Sequence, residues 1–312
     1  MRSSTIAATP RFVLRAQRWP SGSAGPVVAR VHPAAAERPL TAARRRCVER
    51  ADLGGSGLCS VAGLPPRPWL ARLRRALRED LFELHYQPIL DLRSGAIAHH
   101  EALVRLADEP EGMLTAPGAF LPAAERYGLV REIDRMVVGR VAAALAAHDH
   151  TQSLPSVALN VSALSVTDAG MLAYIERQLA RHRVDPARLV VEITETAAIS
   201  DMRRAIAFCE GVQALGCAIA LDDFGVGFGS LYYAKRLPFR YLKIDGDFVR
   251  ALPTNAHDRV MVRAIVDLAR GLGRQTIAEF VGDEPTLGVL RELGVDYAQG
   301  FQIGRPRPLV AV

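Results

Sequence analysis

The chain has 312 residues, 49% hydrophobic and 23% charged, with a mean hydropathy of +0.09, which suits a water-soluble protein with a substantial core. Its net charge of +6 does not argue for nucleic-acid binding, because residues 1–66 carry ten arginines against Glu37, Glu49 and Asp52 and the remaining 246 residues sum to about −1. No apolar run approaches the ~20 residues of a membrane span, and the N-terminus lacks the apolar block of a secretory signal.

In chain order, residues 1–66 are rich in Ala, Arg, Pro, Gly and Ser without periodicity, and are expected to form a disordered basic tail. Order is expected from about Pro68, where Trp69, Leu70, Leu73, Ala76 and Leu77 recur at helical spacing opposite Arg72, Arg74, Arg75, Arg78 and Glu79. Residues 67–312 then read as one barrel domain. Strands are expected at 82–90, 97–105, 156–161, 189–194, 217–222, 241–245, 275–280 and 297–302. Amphipathic helices are expected near 117–126, 131–148, 167–183, 200–215, 256–272 and 284–293.

The link Arg93-Ser94-Gly95 is too short for a helical crossover, so the first two strands must be antiparallel. After them the order is βα throughout. The alternation predicts an α/β fold, a (β/α)8 TIM-like barrel with an antiparallel first strand. A doubly wound open sheet is the competitor, but no sequence repeat and no GxGxxG after a strand supports it.

Barrel chemistry collects where strands end. Those positions carry Glu101, Asn160, Glu192, Asp222 with Asp223, Lys243 with Asp245, Glu279 and Gln299, each after an apolar run. Singly, each has an ordinary reading as an ion pair or a helix cap. Together, five or six carboxylates at one mouth repel one another unless cations neutralise them. Oxygen donors without His or Cys favour Mg2+ or Mn2+ over Zn2+, and the Asp222-Asp223 pair suits two ions bridged by Asp222. Two hard ions point to hydrolysis at phosphorus. Lys243, between Tyr241-Leu242 and Ile244-Asp245, is placed to orient a water or neutralise phosphate charge. It is one of two lysines; Lys235, in a polar turn, reads as solvated. The cysteines (Cys47, Cys59, Cys209, Cys217) form no framework and fit a reducing cytoplasm, with Cys209 and Cys217 as core filler.

These residues fall within blocks that resemble a known family. Glu101-Ala102-Leu103-Val104-Arg105 is similar to the signature that names EAL domains. Tyr86-Gln87-Pro88, Asn160-Val161-Ser162, Glu192-Ile193-Thr194-Glu195, Asp222-Asp223-Phe224-Gly225 and Leu242-Lys243-Ile244-Asp245 resemble further blocks of that family. So do Ala278-Glu279, Gln299-Gly300-Phe301 and Gly304-Arg305-Pro306, all in the family's order over about residues 70–308. The resemblance implies a metal-dependent phosphodiesterase that hydrolyses cyclic di-GMP to linear pGpG, working as a cytoplasmic homodimer and not as a stable nucleic-acid binder. It implies Glu101, Asn160, Glu192 and Asp222 around a first Mg2+ or Mn2+, and Asp222, Asp223 and Glu279 around a second. Lys243 would hold the nucleophilic water, Glu279 and Gln299 would lie beside it, and Glu195 would brace the loop after Asp222-Asp223. Gln87, Leu103, Arg105 and Asp245 would face the dinucleotide.

The chain also departs from the family pattern. The loop usually written DDFGTGYSS has Val226 and Gly229 in place of hydroxyl residues, which predicts a looser loop and slower turnover. In the AEGVE block, Phe280 replaces a glycine that allows close backbone approach, and Gly282 removes an acid. The sequence ends soon after the last strand, so a closing helix is expected to be short or absent. Two other readings stay open at this stage: a cyclic di-GMP receptor that does not cut its ligand, and an unrelated metal-dependent barrel enzyme. Receptors of the family typically lack several metal or lysine positions, and this chain keeps them all.

Overall fold

The short Asp91–Ile97 connection sets the topology. Asp91 Oδ1 accepts from the backbone N–H of Arg93 (2.8 Å) and Ser94 (3.1 Å), and Gly95 takes a positive φ of 73°, which returns the chain on itself. A computed structural model describes residues 66–108, 113–148, 154–195, 201–225 and 230–309. Strands β1 (Phe82–Asp91) and β2 (Ile97–Leu106) accordingly pair antiparallel.

From β2 onward every neighbouring pair is parallel through β3 (Val157–Asn160), β4 (Leu189–Thr194), β5 (Ala218–Phe224), β6 (Tyr241–Ile244), β7 (Gln275–Ala278) and β8 (Tyr297–Gln299). β8 then pairs antiparallel with β1 and closes an eight-stranded barrel. The open-sheet alternative is thereby excluded. β1 alone runs against both of its neighbours, as the short link requires.

The helices are α1 (Pro66–Glu79), α2 (Pro117–Arg126), α3 (Val130–Ala147), α4 (Ala163–Val166), α5 (Ala169–His182) and α6 (Met202–Ala214), followed by α7 (Ser230–Arg236), α8 (Gly246–Val249), α9 (Ala256–Gly271) and α10 (Glu284–Leu293). Side-chain caps set several starts: Asp168 accepts from Gly170 N–H, Asp201 from Arg204 N–H, Asn255 from His257 N–H and Asp283 from Thr286 N–H. Helices α4, α7 and α8 were not expected, because four to seven residues are too few to show a period.

The expected tail (1–66) falls outside the described residues except for Pro66, which opens α1. Arg72 anchors that helix to the end of β2 with Nε and Nη2 donating to the two Asp108 carboxylate oxygens at 2.7 Å each. The last two strands end earlier than expected. Phe280, at a positive φ of 55°, breaks β7 after Ala278, and a turn in which Gly304 N–H donates to Gly300 O follows Gln299. Among the described residues no helix follows β8, and none is long and apolar enough to cross a membrane.

Helices pack their apolar faces on the outside of the barrel, where Ile133, Val137, Val138, Val141 and Leu145 of α3 and Val262, Ile265 and Val266 of α9 are buried. Inside, Ile89, Ala158, Val190, Ala220, Tyr241, Ile277 and Tyr297 form a second, separate core. His99 lies among them, with its ring centroid 5.2 Å from Tyr241 and 5.3 Å from Tyr297 and its Nδ1 paired with the Ser156 hydroxyl. Cys209 and Cys217 are buried thiols whose pKa is pushed up to about 12 by desolvation, so they are core filler as expected.

Burial, and then the charges of Arg240 and His100, lower the His99 pKa to about 4. The unfolded chain binds a proton near pH 6.5 that the folded barrel refuses. This contribution to stability is fully present above about pH 6.5 and is lost as pH falls toward 4, by about 2.5 kcal/mol at pH 4.5. Denaturant melts from pH 7.5 to 4.5 should show a shallower loss in His99→Phe than in the wild type. Parallel curves would exclude this origin.

Candidate active site

Inward-facing strand residues repeat every second position, so the residues two steps toward the mouth from the inner core form the next layer. Two steps from Ala158, Val190, Ala220, Tyr241, Ile277, Tyr297 and His99 lie Asn160, Glu192, Asp222, Lys243, Glu279, Gln299 and Glu101. On the reversed strand β1, two steps back from Ile89 lies Gln87. Each of the eight strands, or in β7 the residue directly after it, thus delivers one charged or amide side chain to a single layer. Pairing is staggered by two residues at four seams, where Glu101 faces Ala158, Glu192 faces Ala220, Lys243 faces Ile277 and Gln299 faces Ile89. That stagger comes from strand tilt, and it is why Glu101 and Glu192 sit mid-strand while Asn160 and Gln299 end theirs. The reading that every site residue marks a strand end is corrected accordingly.

The layer is joined by direct contacts. Lys243 Nζ lies 2.7 Å from Glu192 Oε2, 2.8 Å from Glu279 Oε1, 3.3 Å from Asp222 Oδ1 and 3.6 Å from Glu101 Oε2, and its side chain is 1% exposed. Glu101 also accepts from Asn160 Nδ2 at 2.7 Å and from Gln299 Nε2 at 2.6 Å. Gln299 Nε2 reaches Gln87 Oε1 at 3.2 Å, and Gln87 Nε2 donates to the Gly304 carbonyl.

The charges do not balance. Burial drives Glu192 well above the usual carboxylate range although Lys243 opposes it, and burial also raises Asp222. Glu279 is pushed up to about 8 by burial against the pull of Lys243. Asp223 lies more open, yet desolvation and then the Asp222 charge push it up to about 6. Glu101 alone goes down: burial is outweighed by Lys243 and by the Gln299 and Asn160 hydrogen bonds. Burial opposes the Lys243 ammonium, but four carboxylates hold its pKa well above the ordinary value, so it stays charged. One ammonium cannot neutralise five acids.

That deficit is what a divalent cation would fill. Asp222, Asp223 and Glu279 bring carboxylate oxygens within 4.8 Å of one another. Glu192 Oε1 is buried with no hydrogen-bond partner among the described residues. The donor set is oxygen throughout, so the cluster can bind a hard metal ion.

The remaining expected residues are distributed as follows. Leu103 and Arg105 share the Glu101 face of β2 and continue above the layer on the β1–β2 hairpin, both half-buried. Asp245 is buried and caps α8 by accepting from Asp247 N–H at 2.7 Å. Glu195 is buried one residue past β4 and outside the layer, and residues 226–229, the loop it was expected to brace, lie outside the described residues.

One residue was missed. Asp134, buried in α3, accepts from Ser162 Oγ (2.6 Å) and Ser162 N–H (3.1 Å) and so holds the turn that follows Asn160. An aspartate inside the apolar face of α3 was the available signal.

An EAL domain family model matches residues 70–306. The cyclic di-GMP phosphodiesterase PdeB of Shewanella oneidensis is 37% identical over 243 residues, 78% of this chain and 28% of that protein. The bifunctional diguanylate cyclase/cyclic di-GMP phosphodiesterase MucR of Pseudomonas aeruginosa is 38% identical over 237 residues, 76% of this chain and 34% of that protein. The chain therefore spans about a third or less of the length of these curated relatives. The solved phosphodiesterase of MucR in complex with c-di-GMP matches with a TM-score of 0.73 at 37% identity, over 77% of this chain and 98% of that one. The Xanthomonas citri FimX EAL domain in complex with c-di-GMP matches with a TM-score of 0.72 at 31% identity, over 78% and 95%. With the motif blocks in place around a closed barrel and a reversed first strand, the chain belongs to the EAL domain family.

Proposed function

We propose that the barrel is a phosphodiesterase that hydrolyses cyclic di-GMP to linear pGpG in the cytoplasm, loaded with two Mg2+ or Mn2+ ions and paired with a second copy of itself. The observation that carries this reading is the layer of carboxylates around Lys243, which exceeds what one ammonium can neutralise. Glu101, Asn160, Glu192 and Asp222 would hold one ion, and Asp222, Asp223 and Glu279 the other. When bound, such ions lower the pKa of a coordinated water and polarise the phosphodiester.

The protein's own groups account for the rest. The surrounding carboxylates hold the Lys243 pKa well above its ordinary value in the metal-free layer, and its ammonium would orient a water oxygen and offset charge gathering on the phosphate. Gln299 and Asn160 hold Glu101 in a single orientation. Gln87, Leu103, Arg105 and Asp245 would receive the dinucleotide, with the Arg105 guanidinium suited to phosphate or a guanine edge. Exposed Leu231 and Tyr232 on α7, and Val260 and Met261 on α9, support pairing with a second copy.

Incubation of the purified protein with cyclic di-GMP and Mn2+ should yield pGpG, and Glu101→Ala should cut turnover about 100-fold or more. Tight binding without product would favour the receptor reading. An absence of both binding and product would remove the assignment.

Lys243→Ala supplies a second test. It leaves buried Glu192 facing Glu101, Asp222 and Glu279 without a counter-charge, and should cost the metal-free protein about 3–5 kcal/mol. Saturating Mn2+ should recover part of that loss in thermal melts. A variant that melts like the wild type without metal would contradict the charge argument.

A further inference from the structure

Phe280 holds a backbone conformation that suits glycine. Its φ of 55° lies in the left-handed region, which a bulky residue occupies at a cost of roughly 1–3 kcal/mol and only where the surroundings impose it. Here they do. The Glu279 N–H before it donates to the Ile244 carbonyl of β6, and the Val281 N–H after it donates to the Gln299 carbonyl of β8. The Phe280 ring packs on the segment that follows β6. A Cβ on Gly246 would lie 2.7 Å from the ring Cγ, so the ring fills the space that a side chain at 246 would need. On the ring, 4.3 Å from its centroid, lies the Arg250 guanidinium, which is itself paired with Asp247 at 2.9 Å.

Both partners belong to the α8 segment, which follows Lys243 and Asp245. The same helix reaches the end of the other acid-bearing segment: Phe248 packs against Gly225, where an added Cβ would lie 2.8 Å from the ring, directly after Asp222-Asp223-Phe224 of β5. One four-residue helix therefore touches the chain just after Asp222-Asp223 in β5 and just after Glu279.

We propose that Phe280, packed against Gly246 and Arg250, is a positioning residue that clasps the Glu279 loop to α8 and so sets the distance of the Glu279 carboxylate from the Asp222-Asp223 pair. The proposal deepens the metal-site reading and rests on it. Without the ring, residues 279–281 keep their two backbone bonds but lose their side-chain contact with α8.

The test is Mn2+ titration calorimetry, together with metal-free thermal melts, on the intact wild type, Phe280→Gly, Phe280→Leu, Gly246→Ala and the Gly246→Ala/Phe280→Gly pair. Phe280→Gly relieves the backbone strain, so it should melt at or near the wild-type temperature while binding Mn2+ at least five-fold more weakly. Phe280→Leu should recover part of that affinity. Gly246→Ala should destabilise the protein because its methyl meets the ring, and the added Phe280→Gly change should rescue it. Wild-type Mn2+ affinity in Phe280→Gly would overturn the proposal. If the wild type itself binds no Mn2+, the metal reading fails, and the clasp is then judged on the melts alone; additive effects of the Gly246 and Phe280 changes would overturn it.

Discussion

A single buried ammonium holds the centre of this molecule together. Lys243 is fully enclosed, and burial alone would drive it to neutrality; it stays charged because four carboxylates approach within 2.7–3.6 Å. Those carboxylates are tolerable in a dry barrel only because the ammonium is there, and only in part. Burial, and after it repulsion among the acids, raises the pKa values of Glu192, Asp222 and Glu279, and Glu192 Oε1 has no hydrogen-bond partner among the described residues. The layer holds more acid than one ammonium balances, and such a cluster can bind a hard cation.

The barrel makes that arrangement possible through two geometric facts. Side chains alternate in and out along a strand, and tilted strands bring residues from different registers into one layer. The layer below the acids is apolar and aromatic, filled by Tyr241, Tyr297 and neutral His99 with small residues opposite. This plug closes the barrel beneath the site and denies the carboxylates water from that side. The pair Tyr241 and Lys243 states the division within a single strand: one ring for packing and, two residues on, one charge for chemistry.

Much of this was legible in the sequence. Apolar runs ending in Glu192, Asp222 or Lys243 exposed both strand and site, because a buried strand needs continuous hydrophobicity and a polar residue at its inner face stands out. The three-residue link at 93–95 revealed the reversed first strand. What stayed hidden depended on contacts between distant residues. The stagger that puts Glu101 mid-strand belongs to strand pairs, not to β2 alone. The helices α4 and α8 rest on single capping side chains, Ser162 and Asp245, and have no period to detect. Asp134 works through Ser162, 28 residues away, and only the packing of α3 on β3 brings the two together.

Phe280 shows how a departure from a family pattern can be absorbed. The sequence puts an aromatic ring where a glycine is expected, and close backbone approach is indeed required nearby, since Gly300 lies so tight against the Val281 backbone that it has no room for a Cβ. The chain keeps the glycine-like dihedral at 280 and sends the ring sideways, into space left by a second glycine at 246. The ring at 280 and the glycine at 246 are complementary in three dimensions: the bulk missing at one position is supplied from the other. Whether a substitution damages a site of this kind therefore depends less on the residue that is replaced than on whether a neighbouring strand's loop has left room for the replacement.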